Sequence, residues 1–176
     1  MLKNNKITLR ALEPSDLNFL FNLENDTSIW HVSGTTTPYS KFILKQYLQQ
    51  AHQDIYQAQQ LRLTIICNQS AKIVGLIDLF DFSPKDKRAG IGIVIAEEEF
   101  KRKGYAKNAL EILIKYCFNV LDLHQIFANI EQDNLPSIQL FTNLDFKLVG
   151  IKKDWNKRGA KYIDEGLYQL INTNIY

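Results

Sequence analysis

An apolar strand that leads through a basic, glycine-containing turn into an amphipathic helix constrains this chain more than any other segment. Residues 89–96 are almost wholly apolar, residues 101–103 are all cationic, and Gly104 follows them. From Ala106 onward the apolar residues recur at helical spacing. Such a junction brings free backbone N–H groups, the positive end of a helix and basic side chains to one place, which suits a pyrophosphate. The alternative is a solvated basic turn that only begins a helix.

The composition predicts one domain with a real core. The chain has 176 residues, which favours a single domain over residues 1–176, and 45% of them are apolar. A net charge of only +2 argues against a dedicated nucleic-acid binder. Cys67 and Cys117 lie in apolar segments and are expected to be reduced core residues. Neither a signal peptide nor a membrane span is indicated, so we expect no membrane association and a cytoplasmic location.

The hydrophobic periodicities predict the element order β-α-α-β-β-β-α-β-α-β-β. Strands are expected near residues 7–12, 61–67, 73–82, 89–96 and 123–131, and a final hairpin spans residues 147–170. The longest predicted helix follows Gly104, and its apolar face is interpreted as core.

The turn motif and two further segments resemble the GNAT superfamily of N-acetyltransferases. That family binds acetyl-CoA through the pattern Q/R-x-x-G-x-G/A, with which residues 101–106 agree except for a lysine at the first position. The preceding strand and the later segment from Asn134 to Phe146 also fit, although Asp145 replaces a usual glycine. The resemblance covers nearly the whole chain and is closest to spermidine and ribosomal-protein N-acetyltransferases.

This resemblance implies an α+β fold of the GNAT-like acyl-CoA N-acyltransferase type, with a mixed, mostly antiparallel sheet of about seven strands flanked by four helices. It implies that the fourth strand diverges from the fifth and that its backbone binds the pantetheine arm and the thioester oxygen. Gly92 in that strand favours a close backbone approach. Asn134 is equally well interpreted as a helix cap. The cofactor contacts implied are Ile93, Val94, Ile95, Lys101, Arg102, Lys103, Gly104, Tyr105, Ala106, Asn134, Ser137 and Phe141.

Two positions depart from the family pattern. Phe141 stands where many relatives carry a tyrosine that protonates the departing thiolate, and Gly90 stands where many carry a glutamate base. General acid–base help is worth ~10²–10⁴-fold, so neither departure excludes activity. An enzyme that lacks the tyrosine and the glutamate is better matched to α-amines than to more basic amines, because an α-amine has the lower pKa and loses its proton more easily. Another carboxylate that takes the proton would remove this restriction. Asp78 and Asp81 are the two acids of an otherwise apolar strand, and we favour Asp78 as the proton acceptor or as the holder of a water that takes the proton.

The acceptor side is expected to come from the first helices and their linker. Glu24 beside Trp30 suits a cationic amine by charge and by cation–π attraction, with Asp26 and His31 as further candidates. Asp81 is a third predicted substrate contact, although an exposed strand edge explains it equally well. The alternative for Trp30 is a core side chain, and for Glu24 a solvated helix face. No residue spacing indicates a metal site.

The sequence therefore predicts an acetyl-CoA-dependent N-acetyltransferase that acts by direct transfer on a polyamine, a protein N-terminus or another small amine. A non-catalytic acyl-CoA-binding module remains the alternative. RNA binding through the basic hairpin at residues 152–161 is a weaker third hypothesis. A homo-oligomer paired through the C-terminal hairpin is also left open.

Overall fold

A computed structural model describes residues 2–50 and 53–173. These residues form seven strands that all belong to one sheet. The strands are β1 (Ile7–Ala11), β2 (Leu61–Cys67), β3 (Ile73–Ser83), β4 (Arg88–Ile95), β5 (Gln125–Glu131), β6 (Lys147–Arg158) and β7 (Lys161–Ile171). The helices are α1 (Leu17–Glu24), α2 (Trp30–Ser33), α3 (Lys41–Gln50), α4 (Ile55–Ala58), α5 (Tyr105–Asn119) and α6 (Leu135–Thr142).

The predicted fold is confirmed, with one difference in the number of helices. The described residues contain six α-helices rather than four, because α2 and α4 are extra elements of four residues each. A single helical turn is too short to show a 3.6-residue period, so the sequence pattern does not reveal it. None of the helices in the described ranges is long and apolar enough to cross a membrane.

The sheet opens between its fourth and fifth strands. The strand order is β1-β2-β3-β4-β5-β7-β6, and β4 pairs with β5 in parallel while every other neighbouring pair is antiparallel. This parallel pairing covers only residues 88–90 of β4, although β4 continues to Ile95. From Ile91 onward the β5-facing edge of β4 has no strand partner among the described residues, as the family resemblance implied.

Helices cover both faces of the sheet. On one face, α5 buries Ala109, Leu110, Leu113 and Cys117 against the larger core. On the other face, α1 and α3 bury four leucines against Leu76 of β3. Because side chains alternate along a strand, residues 78 and 80 share the α1–α3 face with Leu76. This alternation determines which side chains of β3 reach the candidate site. Both cysteines are free thiols and buried, as predicted.

Candidate active site

The turn before α5 presents an exposed backbone at the positive end of a long helix. Gly104 has φ +81°, a left-handed conformation that glycine adopts without strain, and residues 101–104 are all exposed. No side chain among the described residues caps the start of α5, so its first N–H groups remain available to an anion. The amine of Lys6 contacts the carbonyl of Lys103 and lies 5.2 Å from the ring centre of Tyr105. The geometry therefore fits a phosphate group, as the sequence motif predicts.

The unpaired edge of β4 lies next to this turn along the chain. Ile93, Val94 and Ile95 are partly buried and belong to the segment of β4 that has left β5. Their backbone groups on that edge can pair with an extended ligand in the way that an added strand would. The structure thus supplies the opening expected for a pantetheine arm.

A cleft of about 490 Å³ reaches the same part of β4 from the α1–α3 face of the sheet. We call it the acceptor cleft. Aromatic and aliphatic side chains form much of its wall, and Gly92, Ile93 and Val94 form part of its floor. The wall includes Ile29, Tyr39, Ile43, Leu44, Tyr47 and Phe80.

Arg62 holds two carboxylates together in the acceptor cleft. Its Nε donates to Asp78 Oδ1 at 2.7 Å, and its Nη1 donates to Glu24 Oε1 at 2.8 Å. The three side chains are only 14–24% exposed. Burial alone would lower the pKa of Arg62, but Asp78, Tyr47 and Glu24 outweigh burial and raise the pKa above its ordinary value. Arg62 is therefore a permanent cation between two acids.

The second oxygen of Asp78 faces the floor of the cleft. Asp78 Oδ2 is only weakly engaged by Arg62 Nη2, at 3.4 Å, and lies 3.9 Å from the position that a Cβ on Gly92 would occupy. Residues 78 and 92 are also direct partners in the β3–β4 ladder. Asp78 thus presents a carboxylate oxygen beside the β4 backbone, where the family resemblance implies that the thioester lies.

The two departures from the family pattern have structural explanations. A Cβ on Gly90 would lie 2.3 Å from the ring of Phe80, so a glutamate at this position would require that ring to move. Phe141 is 3% exposed and packs edge-on against Phe146, with ring centres 5.0 Å apart. Phe141 is therefore a core side chain, and its predicted cofactor contact remains a prediction. Within the cleft, burial raises the pKa of the Tyr47 phenol above its ordinary value.

The predicted acceptor residues are only partly brought together. Glu24 lines the acceptor cleft, but Trp30 and Asp81 are not among its lining residues. The indole N–H of Trp30 donates to the backbone carbonyl of Glu24 at 2.9 Å, so it holds the end of α1 in place. Asp81 is exposed, with φ +48°, at an irregularity of β3. Asp26 accepts a hydrogen bond from the N–H of Ser28 and also lies outside the lining.

Asn134 and Ser137 fit the interpretation as a helix cap at the start of α6. The side chain of Asn134 accepts a hydrogen bond from Ser137 N at 3.2 Å and begins α6 as its N-cap. Capping is confirmed, whereas a cofactor contact by either residue remains a prediction. His31 is exposed in α2. Among residues 2–50 and 53–173, no group of three or more His, Cys, Asp or Glu side chains could hold a metal ion.

Three of the five cations in the basic hairpin segment at residues 152–161 are paired with acids. Lys153 pairs with Asp164 at 2.6 Å and Arg158 pairs with Asp133 at 2.6 Å, and Lys152 pairs with a third acid. A surface whose cations are already paired has little excess charge for a phosphate backbone. The hairpin therefore offers no support for RNA binding.

Fold, turn and cleft together have the parts of an N-acetyltransferase that takes its acyl group from coenzyme A. The acetyltransferase (GNAT) domain model matches residues 6–147. The chain belongs to the GNAT acetyltransferase family, and the predicted family and enzyme class are confirmed.

Similar proteins point in the same direction. The chain is 26% identical over 170 residues to the uncharacterized N-acetyltransferase p20 of Bacillus licheniformis, covering 97% of this chain and 95% of that one. It is 29% identical over 146 residues to the spermidine N(1)-acetyltransferase of Vibrio cholerae, covering 81% and 80%. A dodecameric structure of spermidine N-acetyltransferase from Vibrio cholerae aligns with TM-score 0.79, 27% identity and coverage of 96% and 95%. The same organism's enzyme in complex with CoA and spermine aligns with TM-score 0.85 at 24% identity, covering 96% of each chain, which shows likeness of fold alone.

Sequence reasoning missed Arg62 and Tyr47. Arg62 pairs directly with Asp78 in the β2–β3 register, and its guanidinium lies 5.8 Å from the ring centre of Tyr47. An arginine between two leucines on a strand, facing an acid across a predicted hairpin, is a signal that could have identified this ion pair. Tyr47 carries no such signal, because it has the same helical spacing as core residues of α3.

Proposed function

We propose that this chain transfers the acetyl group of acetyl-CoA directly to a primary amine bound in the acceptor cleft. One observation carries the proposal: the cleft with its Asp78 carboxylate opens onto β4 where that strand has separated from β5. An amine that enters from the α1–α3 face and a thioester held along β4 would therefore meet beside Gly92. This arrangement supports transfer without a covalent enzyme intermediate.

The cofactor side of the proposal uses the turn and the open strand. The N–H groups at residues 104–106 and the cations of the turn would bind the pyrophosphate, because the start of α5 is exposed and uncapped among the described residues. Backbone groups of residues 93–95 would bind the pantetheine arm. A β4 N–H would stabilise the oxyanion that develops on the thioester oxygen.

The chemical step assigns one proton to Asp78. Solvent takes the first proton of the ammonium, and the neutral amine attacks the thioester carbon. As the N–C bond forms, its nitrogen becomes strongly acidic and Asp78 Oδ2 takes the second proton. The C–S bond then breaks and the thiolate leaves without an acid, since a thiol with pKa ~8.5 is a tolerable leaving group. The thiolate then takes a proton from solvent, and Asp78 returns its proton to solvent. The products are the acetamide and CoA thiol.

We extend the proposal to the acceptor and to assembly. Because spermidine N(1)-acetyltransferases are among the similar proteins, polyamines belong in the first screen beside protein N-termini and small amines. Edge strand β6 exposes Leu148, Val149, Ile151 and Trp155, which favours pairing of this strand with another copy. The dodecamer of the Vibrio cholerae enzyme is consistent with such an assembly.

A second candidate is a non-catalytic acyl-CoA-binding module, which the absent acid and base at Phe141 and Gly90 favour. Both candidates predict CoA binding, so binding alone does not separate them. The deciding experiment supplies acetyl-CoA with a broad amine panel, follows thiol release, and identifies acetylated products by mass spectrometry. Amine-dependent thiol release supports the enzyme. CoA binding with no product from any amine supports the binding module, and absence of CoA binding refutes both.

A further inference from the structure

The charge in the acceptor cleft is small because one cation neutralises one of its two acids. Glu24, Asp78 and Arg62 are the only charged side chains among its described lining residues, so the net charge is −1. Both ion pairs are short, 2.7 and 2.8 Å, and their groups are largely shielded from solvent. The net negative charge of the cleft can therefore neutralise one ammonium group, whereas a polyamine such as spermidine carries about three positive charges near neutral pH.

Arg62 also prevents its neighbours from binding additional cations. It uses Nε and both terminal nitrogens on carboxylate oxygens, and it lies over the ring of Tyr47 at 5.8 Å. Tyr47 thus already has a cation near its ring, and a second one would meet repulsion from Arg62. What remains of the wall is neutral, with aliphatic and aromatic side chains such as Ile43, Tyr39 and Phe80.

From these observations we propose that the acceptor is a primary amine with a single positive charge and an apolar body, and that Arg62 sets this specificity by neutralising the cleft. The inference rests on the proposed function and names its substrate class. The ammonium binds at Asp78 Oδ2 beside Gly92, and the apolar body lies along the wall. A free monoamine and an apolar residue at a peptide N-terminus share this chemistry.

A matched pair of small amines tests the proposal on the wild-type enzyme. Hexylamine and hexane-1,6-diamine have the same chain and reactive group and differ in the second charge. We expect kcat/KM for hexylamine to exceed that for the diamine by roughly 10-fold or more, after correction for the diamine's two reactive ends, because burying an unpaired charge is unfavourable. Spermidine should be poorer still. A tetrapeptide amide with an apolar first residue then distinguishes a peptide N-terminus from a free amine as the source.

Two variants assign the effect to Arg62. R62M gives the cleft a net charge of −2 and should reduce or reverse the preference for hexylamine, while R62K keeps the charge and should retain it. If R62M does not fold, the wild-type ratio and R62K still decide. A wild-type preference for the diamine or spermidine overturns the inference and leaves the proposed function intact. The proposed function itself fails only if no amine in the broad panel is acetylated, so the two failures are distinguishable.

Discussion

Replacing Asp78 with asparagine tests the proton-transfer role with little change in shape. Asparagine keeps an oxygen that can accept from Arg62 Nε, where Asp78 Oδ1 accepts at 2.7 Å, and Arg62 keeps its 2.8 Å ion pair with Glu24. The loss of one charge from a pair that is 20–24% exposed should therefore leave D78N folded. We expect a Tm within ~4 °C of the wild type, which corresponds to about 1 kcal/mol in a chain of this size.

The structure predicts two separate kinetic effects of D78N. Loss of the proton acceptor should lower kcat by ~10²–10⁴-fold, the usual worth of general base catalysis. Loss of one negative charge changes the cleft from −1 to neutral. For an ammonium in contact with Asp78, about 4 Å away, at an effective dielectric constant of ~20, this is worth at most about 4 kcal/mol, or up to a ~10³-fold rise in KM, and less at high salt.

A matched control separates the two effects. E24Q removes the other acid bound to Arg62 and makes the same change in charge. Asp78 and Phe80, and not Glu24, supply the three atoms nearest to the Gly92 position. E24Q should therefore raise KM with little effect on kcat. Steady-state thiol release measured from about pH 6 to about pH 10 gives both constants and the pH dependence of kcat.

The outcome that refutes the reasoning is clear. If D78N keeps kcat within about threefold of the wild type and has an unchanged pH–rate profile, Asp78 does not take the proton. If D78N and E24Q lose kcat equally, the cleft needs its charge rather than a base at residue 78.

Three further predictions concern the turn, the first helix and the core. G104A forces a left-handed conformation at φ +81° on alanine, so it should lower the free energy of unfolding by about 1 kcal/mol. It should also weaken CoA binding, measured by calorimetry, at least several-fold. An unchanged CoA affinity would argue against this turn as the pyrophosphate site. D16N breaks the bidentate ion pair with Arg10 at 2.7 and 2.8 Å and should lower the free energy of unfolding, measured with urea, by about 2 kcal/mol. The loss should be smaller than for a fully buried ion pair because Arg10 is 35% exposed. Burial alone would raise the pKa of Asp16, but hydrogen bonds from Arg10 and the Glu13 N–H lower it below its ordinary value. The destabilisation by D16N should therefore be complete at neutral pH and shrink below about pH 4, where the wild-type carboxylate also begins to lose its stabilising charge. Burial raises the pKa of Cys117 to about 12, so this thiol should react with a thiol reagent only after unfolding, and reaction in the native protein would contradict its burial.

The anion-binding turn on which the proposed cofactor side rests can be recognised from local sequence. An anion-binding turn needs a glycine, neighbouring cations and the start of a helix within a few residues, and all of these can be read directly from residues 101–106. Period-two and helical patterns likewise revealed all seven strands and the longer helices. The divergence of β4 from β5 was not visible in any pattern of this chain and came from the family resemblance.

The acceptor side depended on contacts between residues that are distant in the sequence. Glu24 and Asp78 were predicted singly, but their common partner Arg62 became apparent only from the β2–β3 register and from the end of α1 above it. Trp30 was predicted as an acceptor contact from its place in the first linker and from cation–π attraction; its indole donates to the α1 backbone, and it is not among the residues that line the cleft. Proximity along the chain did not predict which side chains share the cleft.

The amino-acid sequence alone determined the family, through its motifs, and the strand and helix pattern and the exposed glycine turn before α5, through short-range periodicity and local backbone chemistry; pyrophosphate binding at that turn stays a prediction. Tertiary structure alone decided the net charge of the acceptor cleft and the burial of Phe141. Both depend on how strands and helices far apart in the chain pack together, and packing determines which charges become neighbours and which side chains lose contact with water.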